Sequence, residues 1–369
     1  MWLAIFFGVL GIGSAAVLYL WPQGRPSNPI MFWVVLFGFP AGVFAVIFGV
    51  VFDRRQQAQL QYNERKRENA RLRGLWRNWA NRGIGVVRAT TFLAGIEGTE
   101  GWESMDAVLP VNIGRAQKLD WLPAEKEGER MQTLLDLVTD RFAGEMVGLR
   151  ALEVLLLLDE VSLVQREQWE SAARKTFSCG GRRVSVSTLP ASAGLANLES
   201  RLTQDTGPAQ LLIAFQLRHG AIEAPYSEGG AAILLRPIVK PDPIREPEIV
   251  IGGADILRPM ISSAAELQVD FKQMQEWQGA GNHTEHLWSA GLNEAAQADM
   301  GGRLPMKCES YRDMDRCLGL AGPATSWITL ALALDIGMRT GKRQFVAATE
   351  TGTRTVRCIV SPLVKEVSN

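Results

Sequence analysis

Few residues in this 369-residue chain could carry out acid–base or nucleophilic chemistry at neutral pH, and they are scattered. There are three histidines, His219, His283 and His286, and four cysteines, Cys179, Cys308, Cys317 and Cys358. A nucleophilic thiolate needs a base or a helix N-terminus beside it to lower its pKa. A metal site would draw on histidine and cysteine at short spacing. His283 and His286 have such a spacing, but Cys308 and Cys317 are too far apart for the usual pair, so no metal or cofactor is expected. The plainer reading of this stretch is a helix start near Thr284 with His286 packed beside Trp288. Cys308 and Cys317 could close a disulfide around the turn Glu309 to Arg316, but four widely spaced cysteines in a chain of this size favour reduced thiols. Glu223 and Glu228 flank a Pro-Tyr-Ser turn and suit structural hydrogen bonding better than acid–base work. No Gly-x-Ser-x-Gly elbow and no Walker loop occur, and Gly252-Gly253 and Gly301-Gly302 read as turns.

Positioning such residues falls to an alternation of short apolar runs and helix-period segments. Gly85 to Thr91, Val154 to Leu158, Leu211 to Leu217, Ala231 to Leu235, Ile249 to Ile251 and Val356 to Val360 have the length and composition of buried strands. Glu129 to Gly144, Gln165 to Thr176, Ala193 to Thr203 and the almost wholly apolar Thr325 to Thr340 read as helices. The alternation predicts an α/β architecture. Arg236 to Glu248, with four prolines, reads as a connector between two halves.

Ahead of this domain stand two uncharged apolar runs, Trp2 to Trp21 and Ile30 to Phe52. A bilayer core needs about 20 such residues in a helix. The linker Pro22 to Pro29 reads as a polar turn, and Pro40 predicts a kink in the second span. The chain therefore divides into a transmembrane hairpin (1–53), a basic juxtamembrane helix (54–83) and a soluble domain (84–369). Nine basic residues lie between Asp53 and Arg82 against one, Arg25, in the linker. By the positive-inside rule, both termini face the cytoplasm. Trp76 and Trp79, three apart, would share a helical face that docks on the following domain. Lysine plus arginine equals aspartate plus glutamate, 39 each, which argues against a general nucleic-acid binder.

Specific motifs go further. Ala221 to Leu235, AIEAPYSEGGAAILL, resembles the strand–turn–strand of β-ketoacyl synthases and thiolases. Gly319 to Asp335, GLAGPATSWITLALALD, resembles that superfamily's Gly-His-x-Gly-Ala helix. Phe345 to Pro362, FVAATETGTRTVRCIVSP, resembles its closing pair of strands. The resemblance covers about residues 84–369 and implies a thiolase-like layered α/β domain. It also implies a nucleophilic cysteine at a strand-to-helix turn, assisted by histidines. The matching region, Val184 to Ala193, holds serine and threonine but no cysteine. Leu320 stands where a histidine would, and leucine can neither move a proton nor polarise an oxyanion.

Leu152 to Glu160 and Leu287 to Leu292 resemble segments of the adaptor proteins of type VI secretion lipase effectors. That resemblance implies a non-enzymatic adaptor in the bacterial inner membrane, without catalytic, cofactor or metal residues. It would recruit a lipase effector in the cytoplasm and present it to the secretion spike protein. The alternative is an acyl-transfer or condensing enzyme with an unusual nucleophile, Cys179 or Ser187, served by one of the histidines. A structural membrane protein is a third reading. Binding would need an exposed apolar or aromatic patch. Trp277 and Trp288 are candidates for it, and Trp327 reads as core.

Overall fold

A computed structural model describes residues 2–21, 29–94, 100–104, 107–122, 127–178, 181–193, 195, 197–204, 206–217, 226–238, 253–263, 266–279, 284–302, 310–349 and 354–363. It forms two compact units, residues 1–76 and 77–369.

The first unit begins with α1 (Trp2–Leu20). Then come α2 (Pro29–Trp33), one π-helical turn (Val34–Gly38) and α3 (Phe39–Ala80). Pro40 has no N–H to give, and the widened π turn lies directly before it, where the sequence predicts a kink. α1 packs on the apolar part of α3 through edge-to-face ring pairs, Trp2 with Phe48 and Phe6 with Phe44. A side chain at Gly13 would overlap the Pro40 ring, its Cβ only 2.6 Å from two ring carbons. The outer faces stay uncovered: Leu3, Phe7, Ile12, Val46 and Ile47 are all exposed. Both helices are long and apolar enough to span a membrane. The linker residues 22–28 lie outside the described residues.

The second unit is built from two halves. The first runs β1 (Gly83–Leu93), α4 (Glu127–Met146), β2 (Ala151–Leu158), α5 (Glu160–Val164), α6 (Arg166–Phe177), β3 (Arg183–Pro190), α7 (Asn197–Leu202), β4 (Ala209–Gln216) and β5 (Gly229–Leu235). The second begins with β6 (Ala254–Leu257), β7 (Met260–Ser263), α8 (Leu267–Gln278), β8 (Thr284–Ala290) and α9 (Glu294–Gly302). It ends with β9 (Ser310–Asp313), α10 (Met314–Leu318), α11 (Thr325–Thr340), β10 (Arg343–Thr349) and β11 (Arg354–Pro362). The sheet order is β3-β2-β4-β5-β1-β6-β11-β10-β8-β9, with β7 also on β11. One half repeats the other. β2 pairs parallel with β3 and β4, and β4 pairs antiparallel with β5. Likewise β8 pairs parallel with β9 and β10, and β10 pairs antiparallel with β11.

The unbroken apolar runs of the central strands follow from cover on both faces. Along β2, Leu155 and Leu157 enter a core built around α11, while Leu152, Val154, Leu156 and Leu158 face a second core under α4 and α6. Along β10, Val346 and Ala348 face α11, while Phe345 and Ala347 face a third core under α8 and α9. α11 thus lies at the centre of a layered α/β fold, which is why its sequence is apolar on all sides.

The sequence reading is corrected in three places. Thr284 begins β8, not a helix, since it pairs with Arg343 on β10, and β8 pairs with β9 from His286 onward. The helix expected from Ala193 begins only at Asn197, after a 3-10 turn at Ala191–Ala193. Gly301 and Gly302 close α9 as its last residues, not as a separate turn. The run at 249–251 and most of the proline connector lie outside the described residues.

Candidate functional site

In α/β folds, ligands gather beyond the carboxyl ends of parallel strands. A cavity of about 200 Å³ lies there, between the two halves. Ala191 and Ser192 line it from the turn after β3, and Ala290 and Gly291 from the end of β8. Thr349 contributes from the end of β10, and residues from Ala321 to Ser326 from the turn into α11.

Buried Gln216, the last residue of β4, braces the turn that leads into α11. Its Nε2 donates to the Ser227 carbonyl at 2.6 Å, and its Oε1 accepts from the Ala324 N–H at 2.8 Å. The Gly322 N–H donates to Thr325 Oγ1 at 2.7 Å, which fixes the turn that opens α11. Glu228 holds the neighbouring turn. Its two oxygens accept from Arg130 Nη2 and from the Leu119 N–H, both at 2.8 Å, so its role is structural. Glu223 lies outside the described residues.

Among the described residues, the polar groups lining the cavity are the hydroxyls of Ser192, Thr325, Ser326 and Thr349 and backbone amides, and none of these lining residues carries a titratable side chain. Such a surface can hold a small polar or acyl group by hydrogen bonds. A serine hydroxyl needs a neighbouring base to become a nucleophile.

The expected site residues fall elsewhere. Ser187 sits exposed in the middle of edge strand β3 and does not line the cavity. The serine at the strand-to-helix turn is Ser192, inside the region the motif match marked out. Leu320, in the histidine position, is 38% exposed beside the cavity-lining Ala321.

Cys317 and Cys358 are buried thiols. Desolvation pushes the Cys317 thiol up to about 11, with Asp313 adding to the shift. Burial alone pushes Cys358 up to about 12. Both therefore stay protonated at neutral pH. Cys179, Cys308, His219 and His283 lie outside the described residues.

His286 is fully buried on β8. Its Nε2 lies 3.1 Å from the Glu103 carbonyl, and its Nδ1 lies 2.6 Å from Ser310 Oγ. A carbonyl only accepts, so the proton resides on Nε2 and Ser310 donates to Nδ1. Both ring nitrogens are thus taken, and the ring packs edge-on to Trp288 at 5.7 Å, as expected. Among the described residues, no cluster of histidine, cysteine and carboxylate suits a metal.

Trp288 and Trp327 are both core, which corrects Trp288 as a surface candidate. Trp277 is half-buried, and its carbonyl accepts from Asn81 at 2.8 Å. Trp79, inside the second unit, lies under the Arg258 guanidinium, which stands 4.1 Å above its ring. Exposed apolar side chains include four in the segment before α4, Val108, Val111, Ile113 and Trp121, with Val147, Val164 and Val269 elsewhere in the unit.

No protein-family model matches the sequence, and no curated protein matches it. Among solved structures, the chain is similar to AntDE:AntF, described as a type II PKS acyl-carrier protein in complex with its ketosynthase bound to the hexaketide. That match has a TM-score of 0.51 and 10% identity, and covers 76% of this chain and 99% of that one. It is also similar to a variant of OleA from Xanthomonas campestris, with a TM-score of 0.50, 10% identity and the same coverage of 76% and 99%. At these identities the likeness concerns the fold. Residues 77–369 have a mixed α/β fold resembling that of thiolase-like synthases, preceded by two helices long and apolar enough to span a membrane.

Proposed function

We propose that this chain is a membrane-tethered binding protein built on a condensing-enzyme fold, with both termini in the cytoplasm. The observation that carries this reading is the cavity at Ser192: among the described residues, its lining offers hydroxyls and backbone amides but no group to take a proton. Exposed Val108, Val111, Ile113 and Trp121 offer apolar surface to a partner. The motif likeness to type VI secretion adaptors names the partners, a lipase effector and the spike protein. Native membranes carrying a tagged full-length chain should yield a lipase-like protein, and replacing Val111 and Trp121 with aspartate should abolish its recovery. Recovery of no lipase, or recovery that ignores these substitutions, would sink the adaptor role.

The solved structures it resembles favour a second reading, an acyl-transfer or condensing enzyme. Here Ser192, at the turn between β3 and α7, would be the acylated group. Turnover of acyl-thioesters by the purified chain, lost in Ser192→Ala, would establish this reading and overturn the first.

A further inference from the structure

A second cavity, of about 310 Å³, shares no lining residue with the one at Ser192. It is bounded by the start of β1, the C-terminal end of α7 and the chain leaving β5. Among the described residues, three arginines line it, Arg82, Arg201 and Arg236, against one carboxylate, Asp255. We propose that it binds a phosphoryl group, held by these three guanidinium groups.

Two of the arginines are built in. Arg201 is only 4% exposed. Its Nη2 donates to the carbonyls of Pro208 and Arg236, both at 2.9 Å, while its buried Nε has no partner. Arg236 donates from Nη2 to the Val86 carbonyl at 3.2 Å, and its Nε is likewise buried without a partner. Asp255 reaches Arg236 only at 4.0 Å, the limit of an ion pair.

The backbone is shaped around the Arg236 guanidinium. A Cβ at Gly85 would lie 2.9 Å from Arg236 Cδ and 3.1 Å from its Nε. One at Gly253, whose φ is +108°, would lie 2.8 Å from Nη2 and 2.4 Å from the Val86 carbonyl oxygen. Gly253, at positive φ and against the Val86 carbonyl, admits only glycine, and the missing side chain at Gly85 leaves room for the Arg236 side chain. Exposed Arg82 stands at the rim.

Three guanidinium groups beside one described carboxylate leave positive charge that a bound oxyanion would balance. A phosphoryl group offers oxygens in several directions and so can engage more than one guanidinium fork. Desolvation lowers the pKa of both Arg201 and Arg236 and raises that of Asp255, while Glu153 acts on Arg201, and Asp255 and Arg236 act on each other, in the opposite direction.

The phosphoryl group could come from a small phosphorylated solute or from the headgroup of an anionic phospholipid. The full-length chain in phosphatidylcholine nanodiscs should bind inorganic pyrophosphate saturably, beyond the effect of matched chloride. Arg236→Gln should weaken that binding by about 10-fold or more, as expected for charged hydrogen bonds. Arg82→Gln, at an exposed position where folding is not at stake, should weaken it by about 3-fold or more. If pyrophosphate has no effect but phosphatidylglycerol nanodiscs protect the second unit from unfolding, and both variants remove that protection, the site holds and the source is lipid. No saturable effect from either probe, or effects unchanged in both variants, would overturn the proposal.

Discussion

Ser14 Oγ lies 3.1 Å from the Leu36 carbonyl oxygen, the acceptor that Pro40 leaves without its α-helical donor. The neighbouring Gly13 lets the Pro40 ring lie against α1. Between apolar helices such close packing and polar contacts supply the association that hydrophobicity cannot. Ser14→Ala should weaken the hairpin by about 0.6–2 kcal/mol. Gly13→Leu should separate the helices outright. Distances between spin labels on α1 and α3 in nanodiscs would report both effects, and an unchanged distance in Gly13→Leu would refute this account of the contact.

Fully buried Arg357 on β11 donates to the Asp270 carboxylate on α8, and its Nη2 donates to the Ser263 carbonyl on β7 at 3.2 Å. Removing one member strands the other charge. Asp270→Ala should therefore cost about 3–5 kcal/mol in denaturant unfolding of the second unit. The double replacement Arg357→Met with Asp270→Leu should recover most of that loss. A double variant as unstable as the single one would show that the pair does more than balance its own charges.

Asp315 titrates at about 6, because burial raises its carboxyl and Asp313 adds to the shift, against a hydrogen bond from the Gly291 N–H that lowers it. Its folded pKa lies above the unfolded value of about 3.9, so the folded state holds the proton more tightly. This contribution to stability is present in acid and is lost as pH rises from about 4 through 6. Asp315→Asn can keep the 2.7 Å bond from Gly291 without the charge. It should be more stable than the parent at pH 7.5, and the advantage should vanish near pH 4. An advantage that does not change with pH would count against this assignment.

The Cys317 and Cys358 thiols, raised to about 11 and about 12 by burial, carry far less thiolate at pH 7.5 than an ordinary cysteine. Alkylation at these two sites, mapped by mass spectrometry, should run slower than at a free thiol by a factor on the order of a hundred or more. Denaturation should remove the difference. Rapid labelling of Cys317 in the folded chain would reopen it as a nucleophile.

Much of the first half was legible because its strands are plain apolar runs. Leu155 and Leu157 on β2 point to one core and Leu156 and Leu158 to another, so no polar residue interrupts the pattern. β8 was illegible for the opposite reason. It reads Thr-Glu-His-Leu-Trp-Ser-Ala and yet is wholly buried. Its polar groups find partners inside: His286 with Ser310, the Trp288 indole N–H with Gln344 at 3.0 Å, and Ser289 with Tyr311 at 2.8 Å. These partners lie on other strands, where local pattern cannot reveal them. The Ser192 cavity was half legible, since motif order marked its turn, but Ser187 and Ser192 share a residue type and only the fold separates them. The arginine pocket gathers Arg82, Arg201 and Arg236 from distant stretches and left no local trace.

The repeated pairing of β2, β3, β4 and β5 in β8, β9, β10 and β11 speaks of ancestry. A plan that recurs within one chain is what duplication and fusion of a single gene leaves behind. Two equal copies would have presented equal central helices. Here the second copy contributes the sixteen-residue α11 and the first only the six-residue α7. The inheritance has become a division of labour. One half carries the interior that both require, and the other offers the turn where Ser192 stands.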